Sequence, residues 1–383
     1  MQSKKYGYSR QYIDDEDINA VIQVLKSDFL TTGPKVLEFE ESIKQYLGAQ
    51  YAVCVSSGTA SLHIAALCLL DKDYKVLTTP ISFLATSNAI LYAGAKPIFV
   101  DVDAKANIDL NLCEDILKKD STIKAIFAVD FAGNMVDPDG LLYLKEKYGI
   151  KVLEDCAHSL GATAGKNKAG DCSFCDVATL SFHPVKSITS AEGGCVVTND
   201  EQIAKKASMF RNHGIVRDRN EFIYKDDDNP LYFEMQELGF NYRLSDVHSA
   251  LGLSQLKKID FFLTVRRKLA NNYDMAFNGT PIRPLHLNSE SSYHLYVIRI
   301  NFKEIGKKRA DIMKSLQSKG IFLQTHYIPI NAQPYYQKLG YDPSLTPTAV
   351  KYYNECLSIP LYVGIEQEEQ EFIIDTIKSE ILF

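Results

Sequence analysis

Leu153-Glu154-Asp155-Cys156-Ala157-His158, followed downstream by Ser181-Phe182-His183-Pro184-Val185-Lys186-Ser187-Ile188-Thr189-Ser190-Ala191-Glu192-Gly193-Gly194, is the part of the chain from which the rest can be read. The first stretch ends an apolar, strand-like run in an acid. The second carries a lysine in a turn of small residues. An acid at a strand end and a lysine in such a turn suit pyridoxal 5'-phosphate (PLP), whose Schiff base the amine forms and whose pyridinium nitrogen the acid pairs with. A surface lysine after a proline turn, with an acid capping the next element, fits the same residues, so the surrounding chain has to decide.

Working outward, residues 14–212 alternate short apolar runs with helical patterns. Tyr51-Ala-Val-Cys-Val-Ser56 reads as a strand, and Leu62, Ala65, Ala66 and Leu69 then share one helical face. Strand-like runs recur at Lys75-Val-Leu-Thr-Thr79, Pro97-Ile-Phe-Val-Asp101, Ala125-Ile-Phe-Ala-Val-Asp130, Lys151-Val-Leu-Glu-Asp155, Val177-Ala-Thr-Leu-Ser181 and Cys195-Val-Val-Thr198, with a helix around Phe83 to Ala93. Continuous apolar strands separated by helices predict a mainly parallel sheet covered on both faces. Ligands bind such sheets at the carboxyl ends of strands, where Asp130, Asp155 and Ser181 fall. Residues 213–245 are less regular, and Lys225-Asp-Asp-Asp-Asn229-Pro230 reads as a solvated charged turn. Beyond residue 261 a smaller unit follows, with a half-buried alternating strand at Tyr293-His-Leu-Tyr-Val-Ile-Arg-Ile300, a helix over 307–319 and a strand at Ile321-Phe-Leu-Gln-Thr-His326. The expected division is a large domain over 1–260 and a small C-terminal α+β domain over 261–383, with the N-terminal segment packed on the small one.

The 383 residues are 46% hydrophobic and 23% charged, as in a well-cored globular protein. A net charge of −6 argues against general affinity for nucleic acid or anionic membranes, so an anionic substrate needs a local basic pocket. No apolar run approaches the roughly 18 residues of a membrane span, and the N-terminal lysines precede no apolar segment, which predicts a cytoplasmic protein. Eight cysteines are scattered, as reduced core cysteines are. Cys172 and Cys175 form one Cys-x-x-Cys without a second ligand pair, so no metal is expected.

Ser56-Ser57-Gly58-Thr59-Ala60-Ser61 joins a strand to a helix. Small hydroxylic residues and glycine there expose backbone N–H groups at a helix N-terminus, which suits a phosphate, although an ordinary helix cap has the same look. Neither a Walker lysine nor a Gly-x-Gly-x-x-Gly is present. Phe83, at the next helix start, can stack on a flat ring or simply pack in the core. Asp155 would keep a ring nitrogen protonated, and Lys186 must shed its proton to become a nucleophile, which burial favours.

Ser-Ser-Gly-Thr, Pro-Ile-Ser-Phe-Leu-Ala-Thr, Glu-Asp-Cys-Ala-His, Ser-Phe-His-Pro-Val-Lys…Ala-Glu-Gly-Gly and Gly-Phe-Asn-Tyr-Arg-Leu-Ser-Asp occur in this order over nearly the whole chain. Together they resemble the DegT/StrS family of PLP-dependent nucleotide-sugar aminotransferases. The resemblance implies the type I PLP-transferase fold, an α/β architecture with a mainly parallel seven-stranded sheet and a smaller C-terminal α+β domain. It also implies a homodimer with a shared active site, and L-glutamate as amino donor, leaving as 2-oxoglutarate. Carried over by motif, Lys186 is the Schiff-base lysine, Asp155 the pyridinium partner and Phe83 the stacking ring. Gly58, Thr59 and Ser181 hold the phosphate, and Asn241 reaches it from the other subunit. His158 replaces a glutamine common in the wider family and lies by the phenolic oxygen. Related sugar dehydratases carry histidine at the position of Lys186, so the lysine implies transamination. Within the family these motifs are most similar to members that aminate C4 of a UDP-linked 4-keto-6-deoxy-N-acetyl-L-hexose. The substrate loops resemble Phe29-Leu30-Thr31-Thr32-Gly33 and Thr325-His326-Tyr327-Ile328-Pro329, which makes Thr32, His326 and Tyr327 candidates with His183. Arg211, Arg217, Arg219 and Arg243 are candidates for the diphosphate, because guanidinium suits that geometry.

Overall fold

A computed structural model describes residues 4–224 and 229–382, so the first four residues of the charged turn, 225–228, lie outside the described residues. Seven strands form the main sheet: β1 (Tyr51–Val55), β2 (Lys75–Thr78), β3 (Lys96–Phe99), β4 (Ile123–Val129), β5 (Lys151–Asp155), β6 (Val177–Ser181) and β7 (Gly194–Thr198). Their order is β1-β7-β6-β5-β4-β2-β3. The neighbours from β3 to β6 pair in parallel, and β7 runs antiparallel to both β6 and β1. The mainly parallel seven-stranded α/β fold implied by the sequence is therefore the fold observed.

Alternation along the central strands feeds two cores. Ile126 and Val152 point into one cluster with Phe39, Ile43 and Leu47 of the helix Pro34–Leu47. Phe127 and Leu153 point into the other with Leu62, Ile64 and Ala65 of the helix Gly58–Leu69. All four strand residues are completely buried. Truncating such a side chain to alanine costs about 2–5 kcal/mol, so the central strands are rigid supports for whatever their ends carry.

The helix Gly58–Leu69 starts where it does because the Ser57 side chain accepts the N–H of Ala60. Its predicted face is buried, and so are Ser61 and Ile64, because strands and the neighbouring helix Leu84–Tyr92 enclose it.

A second sheet consists of β8 (Arg283–Pro284), β9 (Tyr296–Arg299) and β10 (Cys356–Ile359), all antiparallel. Its core takes Ile312 and Leu316, Ile373 and Ile377, and also Tyr6 from the N-terminal segment. The helix Ile259–Phe277 serves both units: Phe262 and Leu263 enter a main-sheet core, and Leu269, Tyr273 and Phe277 enter the second.

Two local expectations fail. The strand at 293–300 is buried on both faces rather than one, because Tyr296 and Ile298 face the second core while Leu295 and Val297 pack with Phe131 of the main sheet's loop. The strand at 321–326 reduces to isolated bridges, Tyr6 with Ile321 and Gln324 with Ser358. The partner changes along the segment, so no continuous ladder forms.

Candidate active site

At the carboxyl ends of β5 and β6 a cavity of about 830 Å³ opens between the main sheet and the 324–328 loop. Of the residues the sequence singles out, Gly58, Thr59, Phe83, Asp155, His158, Ser181, His183, Lys186, His326 and Tyr327 all line it. A larger groove between the helices Pro34–Leu47 and Glu201–Arg211 contains none of these ten, although the candidate Arg217 lines it.

Asp155 closes β5 and is buried. Thr86 Oγ1 donates to its Oδ2 (2.7 Å) and the Ala157 N–H to its Oδ1 (3.1 Å). Burial pushes the Asp155 pKa up, while these donors and the Lys186 charge oppose that rise. Ser82 Oγ lies 3.1 Å from Thr86 Oγ1 and completes the chain.

Lys186 follows a turn in which its own N–H bonds the His183 carbonyl at 2.9 Å. Loss of hydration lowers its pKa from 10.5 to about 8, against the opposing pull of Asp155. An amine whose pKa is lowered toward neutral pH, beside a carboxylate in a cavity, is the arrangement expected of a nucleophile and proton carrier. His183 itself is exposed, and its Nδ1 accepts from the Val185 N–H at 3.4 Å, which orients the turn.

Close backbone approach builds the anion corner. A Cβ on Gly58 would lie 2.7 Å from Ser181 Cβ and 2.8 Å from its Oγ; one on Gly194 would strike the Ser57 carbonyl at 2.4 Å. Only glycine lets β6 and β7 crowd against the start of the helix Gly58–Leu69. The result is a serine hydroxyl next to a helix N-terminus with Thr59 exposed beside it. Phe83, at the N-cap of its helix, remains 57% exposed on the wall, its ring 6.3 Å from that of Tyr327. It stays out of the core, as a plate for a flat ring must.

His158 is buried, and desolvation followed by the Lys186 charge holds its pKa well below the usual range. The Ala132 N–H donates to Nδ1 (3.3 Å), so the ring proton resides on Nε2, which faces the Tyr327 hydroxyl at 3.3 Å. His294 packs against it, with ring centroids 4.3 Å apart and the planes tilted by 39°. His326 Nδ1 pairs with Ser358 Oγ at 2.7 Å, and burial pushes its pKa down to about 3. All three imidazoles are neutral at pH 7.

Thr32 and Asn241 do not line the cavity of their own chain. Thr32 is exposed in a loop fastened by Asp246, whose carboxylate accepts the N–H groups of Gly33 (2.7 Å) and Lys35 (2.9 Å). Asn241 is exposed where it bridges Asn212. Among the candidate arginines, Arg211 is held by Glu40 and the Cys54 carbonyl, Arg217 lies over the Phe233 ring, Arg219 donates to the Asn229 carbonyl, and Arg243 to Asn212 Oδ1. None enters the cavity. Arg211 is used structurally: its ion pair with Glu40 ties the helix Glu201–Arg211 to the helix Pro34–Leu47, and its bond to the Cys54 carbonyl ties it to β1.

The sequence reading missed Thr86, Ser82 and Tyr8. Thr86 lies in a motif already recognised, three residues after Phe83, where a helix start at the cavity makes its hydroxyl the natural reader of a strand-end acid. Tyr8 carried no local signal. Among the described residues no helix is long and apolar enough to cross a membrane.

The profile of the DegT/DnrJ/EryC1/StrS aminotransferase family matches residues 11–378. The chain is 40% identical over 376 residues to the UDP-4-amino-4,6-dideoxy-N-acetyl-beta-L-altrosamine transaminase of Campylobacter jejuni, covering 97% of this chain and 96% of that one. Helicobacter pylori PseC, an aminotransferase involved in the biosynthesis of pseudoaminic acid, superposes with a TM-score of 0.92 at 34% identity, covering 99% and 100% of the two chains. The PLP form of Spr1654 from Streptococcus pneumoniae, described as a sugar aminotransferase, superposes with a TM-score of 0.89 at 28% identity over 99% of each chain.

Proposed function

This chain belongs to the DegT/DnrJ/EryC1/StrS aminotransferase family, and from that membership we propose that it moves an amino group from L-glutamate to C4 of UDP-linked 2-acetamido-2,6-dideoxy-4-keto-L-arabino-hexose, a step of pseudaminic acid biosynthesis. The observation that carries the reading is the meeting of Lys186, Asp155, Phe83 and the Gly58–Ser181 corner in one cavity. Their chemistry fits PLP: a lowered-pKa amine, a buried acid to which just two groups donate among the described residues, an aromatic plate left exposed, and a helix N-terminus for an anion. When bound, PLP supplies an electron sink for charge developing at the amino carbon.

In this proposal the protein's own groups do the rest. Asp155 holds a proton on the ring nitrogen, and Thr86 and the Ala157 N–H keep its carboxylate aimed. Phe83 fixes the ring plane. The helix start at Gly58 and Thr59, with Ser181, anchors the phosphate. His158, locked as the Nε2–H tautomer, offers a donor to the phenolic oxygen. Lys186 Nζ takes the proton from the α-carbon of glutamate and later delivers one to C4 of the sugar. UDP binding away from the reacting carbon supplies the orientation. Thr32, His183, His326 and Tyr327 belong to the substrate side.

A homodimer is part of the same proposal. Leu231, Leu238 and Tyr224 are 80%, 76% and 74% exposed, an apolar stretch that suits burial against a second copy. Asn241, outside its own cavity, would then serve the partner's phosphate corner. The two-domain division at about residue 260 belongs here too, with the change of core occurring inside the helix Ile259–Phe277.

The test compares kcat/KM for the epimeric L-arabino and D-xylo 4-keto sugars with glutamate as donor. One methyl group placed on the wrong ring face is worth about 1–3 kcal/mol, so the L-arabino sugar should win by about 10–200-fold. A preference for the D-xylo sugar, or for a dTDP-sugar, would refute the substrate and leave the family unaffected.

A further inference from the structure

Ser292 Oγ donates to the carbonyl of His158 at 2.7 Å, across the junction between the second unit and the main sheet, and both residues are buried. The same segment closes on the turn Phe131–Gly133, which follows β4. The Gly133 carbonyl accepts from the Ser292 N–H (3.1 Å) and from Ser291 Oγ (2.8 Å), and the Ala132 carbonyl accepts from the Leu295 N–H (3.3 Å). On the main unit's side, Asn107 Oδ1 accepts the Phe131 N–H at 3.0 Å and fixes the start of the turn. Ala132 holds a left-handed backbone, φ 58°, which disfavours any residue with a Cβ. Gly133, at φ 97°, has no room for one, because a Cβ there would strike Ser292 Oγ. In this conformation the Ala132 N–H donates to His158 Nδ1 at 3.3 Å. His294 lies against the His158 ring, and Arg266 steadies the segment by donating to the carbonyls of Tyr293, His294 and Leu361.

We propose that the segment Ser291–His294 positions His158: it clamps the Phe131–Gly133 turn so that the Ala132 N–H meets Nδ1, and through Ser292 it ties the His158 backbone to the same clamp. Ser291 and Ser292 are positioning residues that act through His158, and neither lines the cavity. This rests on the function proposed above, in which His158 offers its Nε2 proton to the phenolic oxygen of PLP. A neutral imidazole carries one ring proton, and the partner of one nitrogen decides whether the other is a donor or bare. Burial keeps His158 neutral, so that choice falls to the Ala132 N–H. Without it the proton is free to settle on Nδ1, and a bare Nε2 would then face the phenolic oxygen lone pair to lone pair. Docking of the second unit gives by itself no reason to hold Ala132 left-handed, whereas delivery of its N–H to Nδ1 does.

The test reads the His158 ring directly, by nitrogen-15 NMR of the histidine-labelled full-length protein without added PLP. Of the eight histidines, the His158 signals are those lost in His158→Gln. The wild type should show Nδ1 unprotonated and Nε2 protonated. Ser292→Ala removes one arm of the clamp, and the population carrying the proton on Nδ1 should rise about tenfold, the bias that one hydrogen bond imposes. Ser291→Ala removes another arm, is read in the same way, and decides the matter if Ser292→Ala does not fold. Tyr341→Phe is the control: it deletes a hydroxyl that donates across the same two units, to the Pro97 carbonyl at 2.8 Å, far from the turn in sequence, and should leave the His158 signals in place. Unchanged His158 signals in the serine variants would overturn the positioning role. So would an equal change in Tyr341→Phe, or a wild type that already carries the proton on Nδ1. If the wild type develops no visible absorbance with PLP, the proposed function fails whatever the tautomer. A wild type that takes up PLP, beside serine variants with unaltered His158 signals, fails this inference alone.

Discussion

Thr86 Oγ1 donates to Asp155 Oδ2 over 2.7 Å, joining a helix start to the end of a central strand. The bond matters because burial alone would drive Asp155 toward its neutral form, and a neutral acid cannot hold a proton on a ring nitrogen.

Thr86→Val keeps the shape of the side chain and deletes the donor. A hydrogen bond to a charged group is worth about 1.5–3 kcal/mol, or roughly 10–150-fold, so kcat should fall within that range. The loss should grow as pH falls, because the remaining donor and Lys186 hold the carboxylate ionised less firmly. A Thr86→Val enzyme with the wild-type kcat and pH profile would show that Asp155 does not depend on Thr86.

The pKa of Lys186, near 8, leaves roughly one amine in ten neutral at pH 7, against about one in three thousand for an ordinary lysine. The sign follows from a base whose pKa is lowered: the reactive neutral form grows as pH rises through 8 and is lost below it. The rate at which the cofactor-free protein captures PLP, followed by visible absorbance, should therefore climb through pH 8 and then level off. Asp155 raises this pKa, so Asp155→Asn should move the midpoint to lower pH. A midpoint near 10 in the wild type would contradict the desolvated site. Lys186→Ala should abolish the absorbance band while leaving the protein folded.

Asn241 lies outside its own cavity, which gives the shared-site proposal a direct check. Inactive Lys186→Ala protein mixed with an impaired Asn241→Ala variant should regain activity, because each mixed dimer contains one site with both defects and one with neither. Subunit exchange confirmed by mass, without a rise in activity, would favour a site built within one chain.

Behind Asp155, one side-chain oxygen each of Asp130 and Glu154 and the Cys156 sulfur lie within 4.8 Å of one another, all buried. Asp130 accepts from the Val136 N–H (2.8 Å) and from Ser159 Oγ (2.7 Å), whereas Glu154 accepts the Gly170 N–H at 3.0 Å and no described residue donates to its Oε1. Burial, reinforced by the Asp130 charge, pushes the Glu154 pKa well up, so Glu154 is the neutral member of the pair. An acid with a raised folded-state pKa binds its proton more tightly when folded, so its contribution to stability falls as pH rises above the unfolded value. Glu154→Gln, which mimics the neutral acid, should remove that fall. Thermal denaturation at pH 5 and pH 8 should show the variant gaining on the wild type at the higher pH. A variant that loses several kcal/mol at both values would mean that the carboxylate is ionised and required.

Much of this protein was legible in its linear order. The strand-ending Asp155, the Ser56–Ser61 turn and the Lys186 turn each consist of neighbours in sequence, so local rules of strand ends, helix starts and glycine-permitted contacts suffice to read them. The doubly covered sheet was equally legible, because its apolar strands must be buried on both faces. The strand at 293–300 was misjudged because alternation reports one buried face and says nothing about a second unit closing over the other. Tertiary structure alone decided which side chains meet across long separations. The sequence names His158, His326 and Tyr327 but not Tyr8, and only the packing of the second unit against the sheet sets His326 beside Tyr8 and Tyr327 at hydrogen-bond distance from His158. The same packing sets the protonation of the site, since the lowered pKa of Lys186 and the neutrality of His158 come from lost hydration, a property of the enclosing fold rather than of any one segment.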